Sequence, residues 1–329
     1  MIARVFPSRT TMTPDDEYAF VGDPPLWLPD NISEVHVSVT FTWDIDEGKR
    51  LVGAWKIRLN QDGIDAPVKI GGPAIGSVGG EFVPNRYLKP GVVITSRGCQ
   101  NRCWFCSVWK REPKHIELPI VAGHIIQDDN LLACSEEHIR AVFDMLKRQK
   151  KRSIFSGGIE AKLLRPWHIE LFDSVNPRQI FMAYDTPDDL EPLIRARKLF
   201  GGKYTRHTLF CYVLIGGPKD TITEALERLE TVKSMDICPF AMLYRSEKGK
   251  NDHYNEIEWR RFQREWSRPS IIYAVNKKPV VGGFTRPKAA KERLTSGYEA
   301  TAEPTPKSQG DFSYPQDVIH KDQEPEKGD

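Results

Sequence analysis

The sequence has no long hydrophobic run, no excess of either charge and few cysteines, and each absence excludes a class of protein. No stretch approaches the roughly 18 consecutive apolar residues that a membrane-spanning helix needs. Residues 1–10 also lack the apolar core of a secretory signal. The 47 basic and 45 acidic side chains leave a net charge of +2, which gives no general attraction to nucleic acid or membranes. We therefore expect a globular protein of the cytoplasm.

The six cysteines do not suggest a disulfide framework, because three of them lie in one short stretch. Cys99, Cys103 and Cys106 have the spacing C-x3-C-x2-C, which can bring three thiolates to one metal centre and leave a fourth coordination position open. Residues 92–95, just before them, are apolar and β-branched and predict a buried strand. The thiols are thus expected beyond the carboxyl end of a strand, where barrel and doubly wound folds have their active sites.

Three neighbouring cysteines allow three interpretations. They could be reduced thiols, a structural zinc site completed by His115 or His124, or ligands of an iron–sulfur cluster. Structural zinc prefers two separated C-x2-C pairs, and the sequence has no second pair. The aromatic Phe105 and the preceding strand favour the cluster. The other three cysteines are scattered and are expected to be buried free thiols: Cys134, Cys211 and Cys238.

At Cys99, Cys103, Phe105 and Cys106 the sequence resembles the radical S-adenosylmethionine (SAM) enzymes, whose loop has the form C-x3-C-x-aromatic-C. The resemblance implies that the three cysteines hold three irons of a [4Fe-4S] cluster, and that SAM chelates the fourth iron. It also implies an external one-electron donor of the flavodoxin or ferredoxin kind. The expected activity is reductive cleavage of SAM to a 5′-deoxyadenosyl radical, which abstracts hydrogen from a substrate that the sequence does not identify.

From residue 91 onward, strand-like runs alternate with helical segments. Strands are predicted at residues 92–95, 124–127, 153–156, 179–184, 208–215 and 238–244. The first helix is short or missing because Pro113 and Pro119 interrupt its segment. Ser135 caps an amphipathic helix, and Thr221 with Glu224 forms a capping box on a later one. Six strands with intervening helices match the open, partial (β/α)6 TIM-like barrel of the resembled family.

The N-terminal part has a different pattern. Residues 1–33 predict an irregular arm, whereas residues 34–43 alternate as a strand, 44–59 as a helix and 68–70 as a second, parallel strand. This β-α-β unit and its Gly71-Gly72-Pro73 turn resemble the end of the cobalamin-binding domain that precedes many radical SAM barrels. The cobalamin motif D-x-H-x-x-G is absent from residues 1–90, so no cobalamin site is expected.

The predicted chain is therefore an α/β protein with three parts. Residues 1–88 form a small, degenerate Rossmann-like domain and residues 89–276 form the partial barrel. A last strand is predicted at 270–275. Residues 277–329 are poor in apolar side chains and predict a disordered tail.

Strand ends supply the candidate SAM contacts. Asp128 and Asp129 follow the second strand, and the resemblance implies that they face the open side of the cluster and hold the SAM amino group. The competing candidate is Gly157-Gly158-Ile159-Glu160 after the third strand, which looks more like the Gly-Gly-Glu signature of the family. The resemblance further implies contacts of Gly158, Glu160 and Lys162 with SAM or the substrate, of Tyr184 and Asp185 with the ribose, and of Gly216 with the adenine.

An alternative substrate class is nucleic acid. Lys110, Arg111, Lys114 and the basic run at residues 147–152 suggest an RNA- or DNA-modifying enzyme, although such runs are more often solvated surface. The non-enzymatic alternative is a zinc-binding interaction module.

Overall fold

The fold is taken from a computed structural model that describes residues 1–76, 82–246 and 256–275. The described residues contain two parallel sheets with separate hydrophobic cores, and the predicted boundary at residues 88/89 falls between these sheets. The chain is thus α/β, as predicted. The expected tail at residues 277–329 lies outside the described residues.

The first sheet is parallel and has the order β2-β1-β3-β4. Its strands are β1 (Ile2–Phe6), β2 (Ala19–Val21), β3 (Glu34–Ser38) and β4 (Val68–Gly71), and α1 (Ile45–Gln61) connects β3 to β4. One face is apolar because Val35 and Val37 alternate with polar residues along β3 and pack with Trp55 of α1. The predicted β-α-β unit is confirmed.

The prediction of an irregular arm at residues 1–33 is wrong where the chain forms β1 and β2. β1 lies between β2 and β3, and its Ala3 and Val5 side chains are fully buried. The apolar pattern of β1 is a weak signal because the strand has only five residues and the segment after it is rich in proline and aspartate. A central strand this short is stabilised by two neighbours and a core, which local sequence does not reveal.

Eight further strands follow: β5 (Val92–Val93), β6 (Ser96–Arg97), β7 (Ile116–Glu117), β8 (Ile125–Ile126), β9 (Ile154–Phe155), β10 (Gln179–Ala183), β11 (Leu209–Ile215) and β12 (Cys238–Leu243). Six of them form one sheet in the order β5-β8-β9-β10-β11-β12, and every neighbouring pair is parallel. The six predicted strands are therefore present. Their carboxyl ends lie at one edge of the sheet, since all run in the same direction.

Helices fill the connections of this sheet. They are α2 (Val108–Arg111), α3 (Glu136–Lys147), α4 (Pro166–Val175), α5 (Leu190–Phe200) and α6 (Ile222–Ser234), whereas α7 (Glu256–Glu265) and α8 (Pro269–Val275) follow the last strand. The first connection contains only the four-residue α2, as predicted from its prolines. Ser135 caps α3, and Thr221 and Glu224 form the predicted capping box on α6. Parallel strands joined by helices give the α/β architecture its long connections.

The strand predicted at residues 270–275 is wrong, since these residues belong to α8. Ile271, Ile272 and Tyr273 form a short apolar run, and such a run does not distinguish a strand from a buried helix. Pro269 fixes a helical φ angle at the start of the segment. Ile272 is then fully buried against the main core. Across the described helices, none is long and apolar enough to cross a bilayer.

Candidate functional site

The three clustered cysteines lie in a loop that a two-stranded ribbon closes. We call residues 98–115 the cysteine loop. β6 and β7 pair antiparallel at its base, where Ser96 is opposite Glu117 and Arg97 is opposite Ile116. Gly98 at the neck has φ +82°, and a side chain there would collide with the carbonyl oxygen of Lys114. The loop therefore leaves the carboxyl end of β5 through a neck with no room for a side chain.

Inside the loop, backbone turns bring the half-buried thiols into electrostatic range of one another. The Cys106 N–H donates to the Cys103 carbonyl at 3.1 Å, and the Trp109 indole N–H donates to the same carbonyl at 3.1 Å. Burial raises the pKa of Cys103 to about 12, and the Cys106 and Cys99 thiolates add to the shift. The pKa of Cys106 is also raised, mainly by burial and partly by Cys99. Without a cation these two thiols stay protonated at neutral pH, and metal binding would have to displace their protons.

Convergence of the thiols on a single point is not seen. Among residues 1–76, 82–246 and 256–275 there is no group of three His, Cys, Asp or Glu side chains placed to hold a metal ion. His124 lies immediately before β8, at the amino edge of the sheet, away from the carboxyl end that carries the loop. His115 places its Nε2 3.8 Å from the Cys134 sulfur and 3.2 Å from the Asn130 carbonyl oxygen.

Asp128 anchors the base of the cysteine loop. Its side chain is 2% exposed and accepts three hydrogen bonds: from the Thr95 N–H at 2.6 Å, the Thr95 hydroxyl at 2.5 Å and the Ser96 hydroxyl at 3.0 Å. Burial raises the pKa of Asp128, and these hydrogen bonds oppose the rise. The expectation that Asp128 faces the open side is therefore corrected, since its carboxylate ties the end of β8 to the end of β5.

Asp129 has a different environment. The residue is exposed and its Oδ2 accepts a hydrogen bond of 2.9 Å from the Gly98 N–H at the neck of the cysteine loop. Of the two predicted carboxylates, Asp129 alone is thus accessible to a ligand.

The third strand end lies against the second. Gly157 packs so closely on the Asp128 backbone that a side chain would collide with it, and Gly158 has φ +93°. Glu160 follows this turn, and its Oε2 accepts a hydrogen bond of 2.6 Å from the side-chain amide of Asn130, which lies just after β8. The same amide nitrogen lies 3.6 Å from the Cys99 sulfur. Asn130, which sequence reasoning did not select, therefore links Glu160 to a cysteine of the loop.

A second acidic group follows β10. Asp185 accepts a hydrogen bond of 3.0 Å from the Leu214 N–H of β11, and burial raises its pKa to about 7, with a further contribution from Asp189. Asp189 caps the next helical turn and lies 3.2 Å from the Lys162 ammonium. Both carboxylates add to the rise in the pKa of Cys103, of which burial is the main cause. Tyr184, the other predicted ribose contact, immediately precedes Asp185 and is buried.

The tip of the cysteine loop extends over the last two strands. The Trp104 ring lies 5.2 Å from the Tyr244 ring, just after β12, and 5.4 Å edge-on from Phe105. A side-chain carbon added at Gly217 would lie 3.0 Å from this indole. Gly216, the predicted adenine contact, is buried with φ +70° and donates its N–H to Asp220 at 2.8 Å. The loop after the first strand thus contacts the ends of the fifth and sixth.

The carboxyl edge of the first sheet also meets the cysteine loop. Arg111 of α2 donates a hydrogen bond of 2.8 Å to the carbonyl of Pro73, which follows β4. The Arg245 guanidinium lies 5.0 Å from the centre of the Trp43 ring, which itself stacks on Phe41 at 4.6 Å. Ligands of open α/β sheets bind outside the carboxyl ends of strands, so both sheets present their ligand-binding edges to the same region.

Other predicted groups lie elsewhere. Cys211 and Cys238 are buried in strands, as expected. The basic run at residues 147–152 precedes β9 and so lies at the amino edge, opposite the cysteine loop. Lys147 pairs with Asp144 at 2.9 Å, and Arg152 donates to the Asn176 carbonyl at 2.8 Å. This basic run is therefore not part of the candidate site.

Comparison with known proteins adds no assignment. No protein-family model matches the chain, and no curated protein matches it by sequence. The residues gathered at this edge define its chemistry: three thiols, the exposed carboxylate of Asp129, the carboxylate of Glu160 bonded to Asn130, and the half-buried Asp185, whose pKa is raised to about 7.

Proposed function

We propose that the chain is a radical SAM enzyme that holds a [4Fe-4S] cluster through Cys99, Cys103 and Cys106. It would cleave SAM reductively to a 5′-deoxyadenosyl radical, which abstracts hydrogen from an unidentified substrate. The observation that supports this proposal best is the position of the cysteine loop. It follows the first of six parallel strands that are arranged in chain order.

The finer form of the fold that we propose is a partial (β/α)6 barrel. Flat parallel strands about 4.8 Å apart would place β5 about 24 Å from β12. Trp104 nevertheless contacts Tyr244 and packs on Gly217, beyond the ends of β12 and β11. A sheet that curves toward closure brings these ends within reach of the loop, which supports the barrel.

The donor set fits the proposed cluster in its chemistry. Thiolates are the ligands that iron–sulfur clusters use, and three of them leave one iron for another ligand. Cys134, the nearest further thiol in sequence, lies beside His115. When bound, the cluster would supply the electron that splits the C5′–S bond of SAM, after reduction by an external flavodoxin- or ferredoxin-like donor. A reducing compartment such as the cytoplasm would suit both the cluster and its electron donor.

The chain's own residues would bind and orient SAM. Since the Asp128 carboxylate is buried under the loop, we assign the SAM amino group to Glu160, with Asp129 as the second acid. Asp185 and Tyr184 would lie toward the ribose, and Lys162 toward the carboxylate. Gly158, where an added side-chain carbon would have its nearest neighbour at 3.8 Å, would allow the backbone to approach a ligand closely. Trp104, at the loop tip, would exclude water from the strand ends.

The test is anaerobic reconstitution with iron and sulfide. We expect about four irons per chain, the stoichiometry of one such cluster, and formation of 5′-deoxyadenosine from SAM under a strong reductant. Cys99→Ala, Cys103→Ala and Cys106→Ala should each abolish the cluster. The matched controls Cys134→Ala, Cys211→Ala and Cys238→Ala should retain it. Zinc bound in place of iron would favour an interaction module and overturn the proposal.

A further inference from the structure

Asn130 occupies the point where the cysteine loop and the third strand end meet. The residue follows β8 directly after Asp128 and Asp129, and only 3% of its surface is exposed. Its amide nitrogen lies 2.6 Å from the Glu160 carboxylate and 3.6 Å from the Cys99 sulfur. One side chain therefore contacts a proposed cluster ligand and the proposed amino-group acid at once.

The chemistry of the carboxamide suits both neighbours. An Asn side chain has two N–H donors on one nitrogen, and both a carboxylate and a thiolate accept more strongly when charged. The donors are thus directed to the two groups that must be anionic for cluster and SAM binding. By contrast, the Asn130 Oδ1 is buried and has no hydrogen-bond partner within the described part of the chain. Such an orphaned acceptor is costly, which argues against a role in stability alone.

We propose that Asn130 is a positioning residue that couples the cluster to the SAM site. Its N–H···S contact stabilises negative charge on the Cys99 sulfur, and its N–H···O bond holds Glu160 in place for the amino group of SAM. This inference rests on the proposed function. Hydrogen bonds to cluster sulfurs help to set the reduction potential, so removing the donor should make the midpoint potential more negative.

The experiment uses the reconstituted full chain with Asn130→Ala and Asn130→Asp. The alanine variant should retain the cluster, shift its midpoint potential to more negative values in an EPR-monitored titration, and bind SAM on the order of 10- to 100-fold more weakly. The aspartate variant is nearly isosteric but presents a carboxylate to Glu160, and its loss of SAM affinity should be larger. Asn101→Ala is the matched control. Asn101 lies in the cysteine loop two residues after Cys99, and its side chain has no hydrogen bond in the described residues.

A second measurement needs neither cluster nor SAM. In thermal unfolding of the apo chain, Asn130→Ala should lower the melting temperature less in a Glu160→Ala background than in the wild type, because the two side chains share a hydrogen bond. Independent effects of the two substitutions would overturn the link to Glu160. Unchanged potential and SAM affinity in Asn130→Ala would overturn the positioning role. Failure of the proposed function is distinct, since the wild-type chain itself would then assemble no cluster.

Discussion

Asp128 should be a structural anchor whose loss destabilises the neck of the cysteine loop. Thr95 and Ser96 have no exposed surface, and the Asp128 carboxylate accepts from the Thr95 N–H and from both hydroxyls. In Asp128→Ala the Thr95 N–H loses its acceptor without gaining water, which costs about 1–3 kcal/mol. The hydroxyls can rotate to other acceptors, so we expect a total loss of about 2–5 kcal/mol.

Asp128→Asn should cost less than the alanine variant. The amide oxygen can still accept from Thr95, and the neutral side chain avoids the burial of a negative charge, which is what raises the pKa of Asp128. The NH2 group nevertheless faces hydroxyls that now donate to the carboxylate, and they have to reorient. We therefore expect Asp128→Asn to lie between the wild type and the alanine variant.

The assay is urea unfolding of the apo chain, with Asp129→Ala as the matched control. Asp129 is exposed and accepts one backbone hydrogen bond, so its replacement should change the free energy of unfolding by less than about 1 kcal/mol. Equal effects of the two alanine variants would refute the anchor. A reconstituted Asp128→Asn chain with normal stability but no SAM affinity would instead place Asp128 on the ligand, as the sequence first suggested.

Three further predictions concern other parts of the site. The pKa of Asp185 is raised from its ordinary 3.8 to about 7, so between these pH values the folded chain binds a proton that the unfolded chain has lost. The stability of the chain should therefore fall as pH rises through this range. Asp185→Asn should flatten this dependence in unfolding measured from pH 4 to 8. Gly217→Val should displace Trp104 and shift tryptophan fluorescence to longer wavelength, whereas Gly202→Val, with open space around its α-carbon, should not; identical spectra would contradict the contact. Glu160→Gln should weaken SAM binding more than Asp129→Asn, and the reverse order, by equilibrium binding, would reassign the amino group to Asp129.

Periodicity in the sequence was enough to predict most strands of the large sheet and the helices that connect them. The helix capped by Ser135 has Ile139, Val142 and Phe143 on one face, and all three are buried. Such patterns are local, because a helix repeats every 3.6 residues whatever it packs against. β1 and α8 were missed for the opposite reason: both are short, and neighbouring elements decide whether five or seven residues form a strand or a helix.

The roles of the acids depend on contacts that sequence does not show. Asp128 and Asp129 are adjacent and chemically identical, yet one is buried under Thr95 and the other is exposed. The difference arises because successive residues past a strand point in different directions. β5 pairs with β8, and Thr95, which follows β5, therefore reaches only Asp128. Asn130 illustrates the same limit. Its position after two acids was visible, but its contact with Glu160 requires the turn at Gly157 and Gly158.

The meeting of two carboxyl edges constrains how a substrate could approach. Arg111 binds the turn after β4, and Arg245 stacks on Trp43 after β3, so the segments after these two strands contact the cysteine loop and the residues after β12. A parallel sheet directs its ligand-binding edge toward its strand ends. If SAM occupies the edge of the six-stranded sheet as proposed, a substrate bound at that edge would also border the segments after β3 and β4.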